Sequence, residues 1–239
     1  MIIRYDGSFE GLLSVIFETW TNFSQVEDIQ RPGPKTLFEE TWVDTKEENA
    51  NRVYHWLKKT DPLFLKDKFR YGYLSEKERM DYLNVYHLHL LYQKGREILL
   101  NPSGKTQEYL KNIRTVKREL HRFTGLTRFE EVQSGALYAA IRPEGNILLP
   151  LGGHFMKRLP HEEFLIHDHS RDIGVYHKEG NLELVAFSLE DLQYSDKEKV
   201  MSELWRTFTK AISIEERKSK KRQMSNMPKK YWEFLTEMQ

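Results

Sequence analysis

Phe9, Leu12, Leu13, Ile16, Phe17 and Trp20 recur at spacings of three and four residues, placing one apolar stripe along a helix that spans about 8–23. Ile2-Ile3-Arg4-Tyr5 reads as a short strand before it, and Asp6-Gly7-Ser8 offers the turn and the helix cap. After the loop Arg31-Pro32-Gly33-Pro34, residues 37–44 have the β-branched and aromatic content of a second strand, and Thr45 opens a helix to about 59. In the longer helical pattern at 76–94, Leu83, Val85, Tyr86, Leu88, Leu90 and Leu91 leave little polar face, as in a helix packed on several sides.

Residues 107–123 divide cleanly at 100° per residue. Leu110, Ile113, Val116, Leu120 and Phe123 face one way, while Lys111, Arg114, Arg118 and Arg122 line the other.

The second half changes period. Strand-like runs at 127–133, 136–142, 163–168, 173–177 and 182–187 are separated by turn signals such as Ser134-Gly135 and Gly180-Asn181. A short helix at 149–159 interrupts them. A later one at 197–212 would bury Met201, Leu204, Trp205, Phe208 and Ile212. The expected class is α+β: a mostly helical half at 1–125, then at 126–239 an antiparallel sheet of about five strands with flanking helices and a basic tail. The halves are read as two domains or as one integrated domain.

Composition narrows the setting. With 239 residues, 39% of them hydrophobic, the chain can bury one large core or two modest ones. It has no cysteine, which rules out disulfides, thiolate zinc sites, iron–sulfur clusters and a cysteine nucleophile built from this chain. The N-terminus lacks a secretory pattern, and no apolar run approaches the ~18–20 residues that span a bilayer. A cytoplasmic location with no membrane partner is expected.

Formal net charge is only +1, yet residues 217–230 hold seven cations and no acid, so basic character is local. Lys111, Arg114, Arg118 and Arg122, together with Arg217, Lys220, Lys221, Arg222, Lys229, Lys230, Tyr231 and Trp232, are the candidate contacts for DNA phosphates and bases. The plainer alternative is a solvated helix face, with Tyr231 and Trp232 docking the C-terminus onto the core.

A second candidate is a polar pocket of His154, Arg158, Asp168 and Arg171, with His154 and Asp168 as the catalytic candidates. Its alternative is structural, with Asp168 accepting turn amides or pairing with an arginine. His167 and His169 alternate onto one strand face with Asp168 opposite, and His177 is placed to join them from the next strand. No third ligand is fixed by spacing, so neither a metal nor another cofactor is expected. Asp6-Gly7-Ser8 is read as a cap rather than a phosphate loop, and no Walker loop, dinucleotide fingerprint, HExxH, GxSxG or zinc-deaminase signature is present.

Four segments together carry a resemblance: Tyr5 through Gly11, Gly153-His154-Phe155 with Arg158, Ile166 through Arg171, and Pro228-Lys229-Lys230-Tyr231-Trp232. Over almost the full chain the sequence resembles an uncharacterised bacterial family of DNA-metabolism proteins, found alone and as C-terminal partners of uracil-DNA-glycosylase-type domains. The resemblance implies DNA, and a radical-SAM DNA-modification or repair protein or a uracil-DNA-glycosylase-type enzyme, as partners. It carries no catalytic residue, and His167 stands where the family motif has tyrosine. The expected function is a DNA-binding accessory protein that delivers nucleic acid to a partner enzyme. The alternatives are an enzyme acting on a nucleotide or damaged base through the four-residue pocket, and a protein-interaction module without DNA binding.

Overall fold

The computed structural model describes residues 1–34, 38–100, 102–187, 192–213 and 219–238. The chain is α+β and divides into two compact units, Met1–Lys117 and Arg118–Gln239. Among the described residues no helix is long and apolar enough to cross a membrane.

In the first unit, β1 (Ile2–Arg4) is the centre of a three-stranded sheet, with β2 (Asp28–Gln30) and β3 (Glu40–Trp42) both parallel to it. The strand expected at 37–44 is thus β3, and Leu37 lies outside the described residues. β2 was not anticipated, because three residues between a helix and a proline loop carry no readable alternation.

Helix α1 (Phe9–Thr19) follows β1. Ser8 caps it by accepting from the Gly11 N–H, while Asp6 accepts from the Ser8 N–H, the Ser8 hydroxyl and the Thr45 hydroxyl. Burial works against the Asp6 charge, but these bonds hold its carboxyl below the ordinary value. The turn uses its polar groups on itself, as capping requires.

Helix α2 (Glu47–Thr60) ends at Asp61, which caps the next turn by accepting from the Phe64 N–H. A short helix α3 (Pro62–Phe64), one π-helical turn (Leu65–Phe69) and α4 (Arg70–Tyr73) then run on continuously. Helix α5 (Met80–Lys94) is buried on nearly all sides through its first nine residues, as its pattern predicts. Its fully buried polar residues, Asp81, Asn84 and His87, all have partners. Asn84 donates to the Phe69 carbonyl and accepts from Tyr109, and Asp81 accepts from Tyr5 and, through both oxygens, from Arg31. A Cβ on Gly72 would lie 2.4 Å from the Asn84 Oδ1, so α4 passes α5 only as glycine.

Helix α6 (Gly104–Leu126) is continuous; its residues to Lys117 belong to the first unit and those from Arg118 to the second.

The second unit holds a five-stranded sheet ordered β4 (Glu130–Glu131), β5 (Leu137–Ile141), β6 (Phe164–Asp168), β7 (Ile173–Lys178) and β8 (Asn181–Ala186). The sheet is mixed rather than antiparallel throughout, because β5 and β6 pair in parallel. Helix α7 (Leu148–Arg158) is the reason: a parallel neighbour needs a crossover, and α7 supplies it. Leu148, Leu151, Gly152 and Phe155 form its buried face.

Helix α8 (Asp196–Ala211) forms where expected but does not bury its stripe. Met201, Leu204, Trp205, Phe208 and Ile212 are all exposed, Met201 by 60%. Polar positions anchor it instead: Glu198 accepts from the Glu131 N–H, the Trp205 indole donates to Glu237, and Arg206 donates to the Thr236 carbonyl.

Candidate functional site

Lys111, Arg114 and Arg118 are exposed on the outer face of α6, and Arg122 is half-buried with its guanidinium 5.9 Å from the Tyr231 ring centre. None of the four meets a carboxylate among the described residues. Of the two acids on this helix, Glu108 is exposed and Glu119 points inward: 3% exposed, it accepts from the N–H groups of Glu144 and Gly145.

The tail separates into free and committed cations. Lys220, Lys221 and Arg222 are exposed on α9 (Lys220–Asn226), and Lys229 is exposed with its ammonium 6.0 Å from the Trp232 ring centre. Lys230 instead lies 2.7 Å from Glu144 and 3.4 Å from Glu119. Burial opposes its charge, but the bond to Glu144 and the neighbouring Tyr231 and Glu119 raise it above the ordinary lysine value. Tyr231 is buried edge-on against Phe123 at 5.0 Å, and the Trp232 indole donates to the Met227 carbonyl. Tyr231 and Lys230 therefore dock the C-terminus, while Lys220, Lys221, Arg222 and Lys229 face solvent. Arg217 lies outside the described residues.

Of the four pocket candidates, the structure joins two. Asp168 is fully buried and accepts from the Ser170 N–H and from Arg171, whose guanidinium also donates to the Pro143 and Glu144 carbonyls. This latch holds the β6–β7 turn against the turn after β5. His154 and Arg158 are exposed one helical turn apart on α7.

One cluster became visible only with the strand register. The Tyr138 hydroxyl lies 3.0 Å from His167 Nδ1 and 3.3 Å from His169 Nε2, and the imidazole centres are 4.3 Å apart. The Tyr138 hydroxyl thus bridges the two imidazoles by hydrogen bonds whose direction is set by the histidine tautomers. Burial, then the neighbouring His169, lower His167 to about 4; burial and Arg142 lower His169. His177 does not join them: it pairs in register with Phe164, stacks on that ring at 4.7 Å and bonds the Glu162 carbonyl. Phe164 and His167 sit an odd number of residues apart on β6, which puts His177 on the opposite face.

A family model described as a domain of unknown function, DUF4130, matches residues 77–237. The chain belongs to the DUF4130 family. No curated protein and no solved structure matches it.

The DUF4130 match takes in α5, α6 and all the described elements of the second unit, hence every site residue named from the sequence. The β1–α1 turn with its Tyr5-Asp6-Gly7-Ser8 run precedes it.

Proposed function

We propose that the chain is a DNA-binding accessory protein of DNA repair or modification, which holds nucleic acid for a partner enzyme. One observation carries this reading. The cations of the outer face of α6 and of α9 have no acid partner among the described residues, whereas Lys117, Lys230 and Arg171 are each matched to a carboxylate. Unmatched cations in a row are suited to a polyanion, whose condensed counterions they release on binding. The family resemblance supports the same reading, and it points to a radical-SAM or uracil-DNA-glycosylase-type enzyme as partner.

Titration of the full chain against fluorescent duplex and single-stranded oligonucleotides at ~50 and ~200 mM salt tests the proposal, since phosphate-driven affinity falls steeply over that range. Salt-sensitive binding is the expected result. Absence of binding at ~50 mM would contradict it.

The exposed stripe of α8 favours a second reading, a protein-interaction module whose partner covers Met201, Leu204 and Phe208. In that case DNA is retained only when the partner is present.

A further inference from the structure

In the first unit, aromatic side chains from two helices, α2 and α5, and from the segment after α1 meet around Trp20. Its ring centre lies 5.5 Å from Trp56 and 5.3 Å from Tyr92, both edge-on, and 4.1 Å from His89, stacked. Phe23 closes the other side of His89 at 4.4 Å and 9°. Trp20 thereby forms a wall shared by two cavities of about 400 and about 370 Å3. Trp56 and Tyr92 line the first; Tyr82, Tyr86 and His89 line the second.

The core claims only part of this arrangement: Trp20, Trp56 and Tyr86 pack against it and stay partly buried. Tyr92 is 65% exposed, Trp20 and Trp56 are half-buried, and both spaces are large enough for a small ligand. No carboxylate is among the described residues that line either cavity, while cations stand at both ends. Arg52 lies over Phe17 at 5.0 Å beside the first cavity, and Lys105 lies over Tyr86 at 4.8 Å and Tyr82 at 5.1 Å beside the second. On the wall of the second cavity, His89 Nε2 is buried with no hydrogen-bond partner among the described residues.

Aromatic platforms that alternate with cations and exclude acids are the chemistry of unpaired bases on a phosphate chain. We propose that the two adjoining cavities receive successive unpaired bases of single-stranded DNA, with Arg52 and Lys105 on the flanking phosphates. This site is separate from the cations of α6 and α9, and it stands if those make no contact.

The test uses the full chain and an oligothymidylate of about a dozen nucleotides carrying 5-iododeoxyuridine. Tyr92→Ala, at an exposed ring, should lower affinity for this strand about tenfold, the scale of one lost stacking platform, and leave duplex affinity unchanged. Arg52→Glu with Lys105→Glu should do the same and flatten the salt dependence. Irradiation should attach the strand to Trp20, Trp56 or Tyr92. Wild-type affinity in both variants, crosslinks confined to other residues, or occupation of the cavities by an aromatic peptide that the oligonucleotide fails to displace would overturn the proposal. If α6 and α9 charge reversals abolish duplex binding while these crosslinks persist, the two surfaces are distinguished.

Discussion

Lys230 sets its ammonium 3.4 Å from the buried carboxylate of Glu119, joining the C-terminal segment to the middle of the longest helix. Glu119 also accepts from the N–H groups of Glu144 and Gly145, so one carboxylate organises three chain segments. Replacing it by alanine leaves buried donors unmet, at a cost of about 2–4 kcal/mol, which a urea titration would measure. Lys230→Ala, by contrast, should change DNA affinity little, because that cation is already neutralised. A large loss of binding in Lys230→Ala would contradict its structural assignment.

The Arg31–Asp81 pair makes a similar claim for the first unit. Arg31 donates to both Asp81 oxygens at 2.8 and 3.0 Å, and the buried Tyr5 hydroxyl donates to the same carboxylate at 2.8 Å. Arg31→Ala leaves a buried charge with one neutral partner, and should destabilise the protein by about 3–5 kcal/mol. Arg31→Ala with Asp81→Asn should recover part of that loss in the same urea titration, since no charge is then stranded.

Gly72 gives a steric prediction. An alanine methyl there would press on Asn84, whose side chain is held from both ends by Phe69 and Tyr109. Gly72→Ala should cost about 1–3 kcal/mol even though alanine favours helices. Unchanged thermal stability would mean that α4 and α5 have room to part.

Stability should also depend on pH with a definite sign. Burial holds His87 and His167 to about 4, against an ordinary value of 6.5. The unfolded chain therefore takes up protons near 6.5, and the folded chain does not do so until about 4. Their contribution is complete above about 6.5 and is lost as pH falls toward 4, by on the order of 2 kcal/mol for each buried imidazole. Melting curves between pH 7.5 and 5 should show a falling midpoint, and His167→Gln should flatten part of the slope. A midpoint independent of pH would exclude buried neutral histidines.

Much of the fold was legible because long amphipathic periods survive tertiary context. The stripe of α1, the crowded face of α5 and the two-sided division of α6 all appear in the spacing of Leu, Ile and Arg. What was lost depends on non-local geometry. Turn signals between strands read as hairpins, and the parallel β5–β6 pair required recognising α7 as a crossover. The α8 pattern established amphipathicity but not which face would meet the protein, and the polar anchors at Glu198 and Arg206 turned its apolar face outward. Asp168 and Arg171 are three residues apart, so their pairing was within reach of local reasoning. The Tyr138–His167–His169 chain needed the β5–β6 pairing, and the Trp20 cavities needed helices distant in sequence to converge.

The most direct test of the central claim compares the salt dependence of duplex binding in wild-type protein, in Arg118→Ala with Arg122→Ala, and in Lys230→Ala. If the free cations contact phosphates, the double variant binds more weakly at every salt concentration and its logarithmic slope falls by about 1–2, while Lys230→Ala keeps the wild-type slope. Identical slopes in all three proteins would contradict the account.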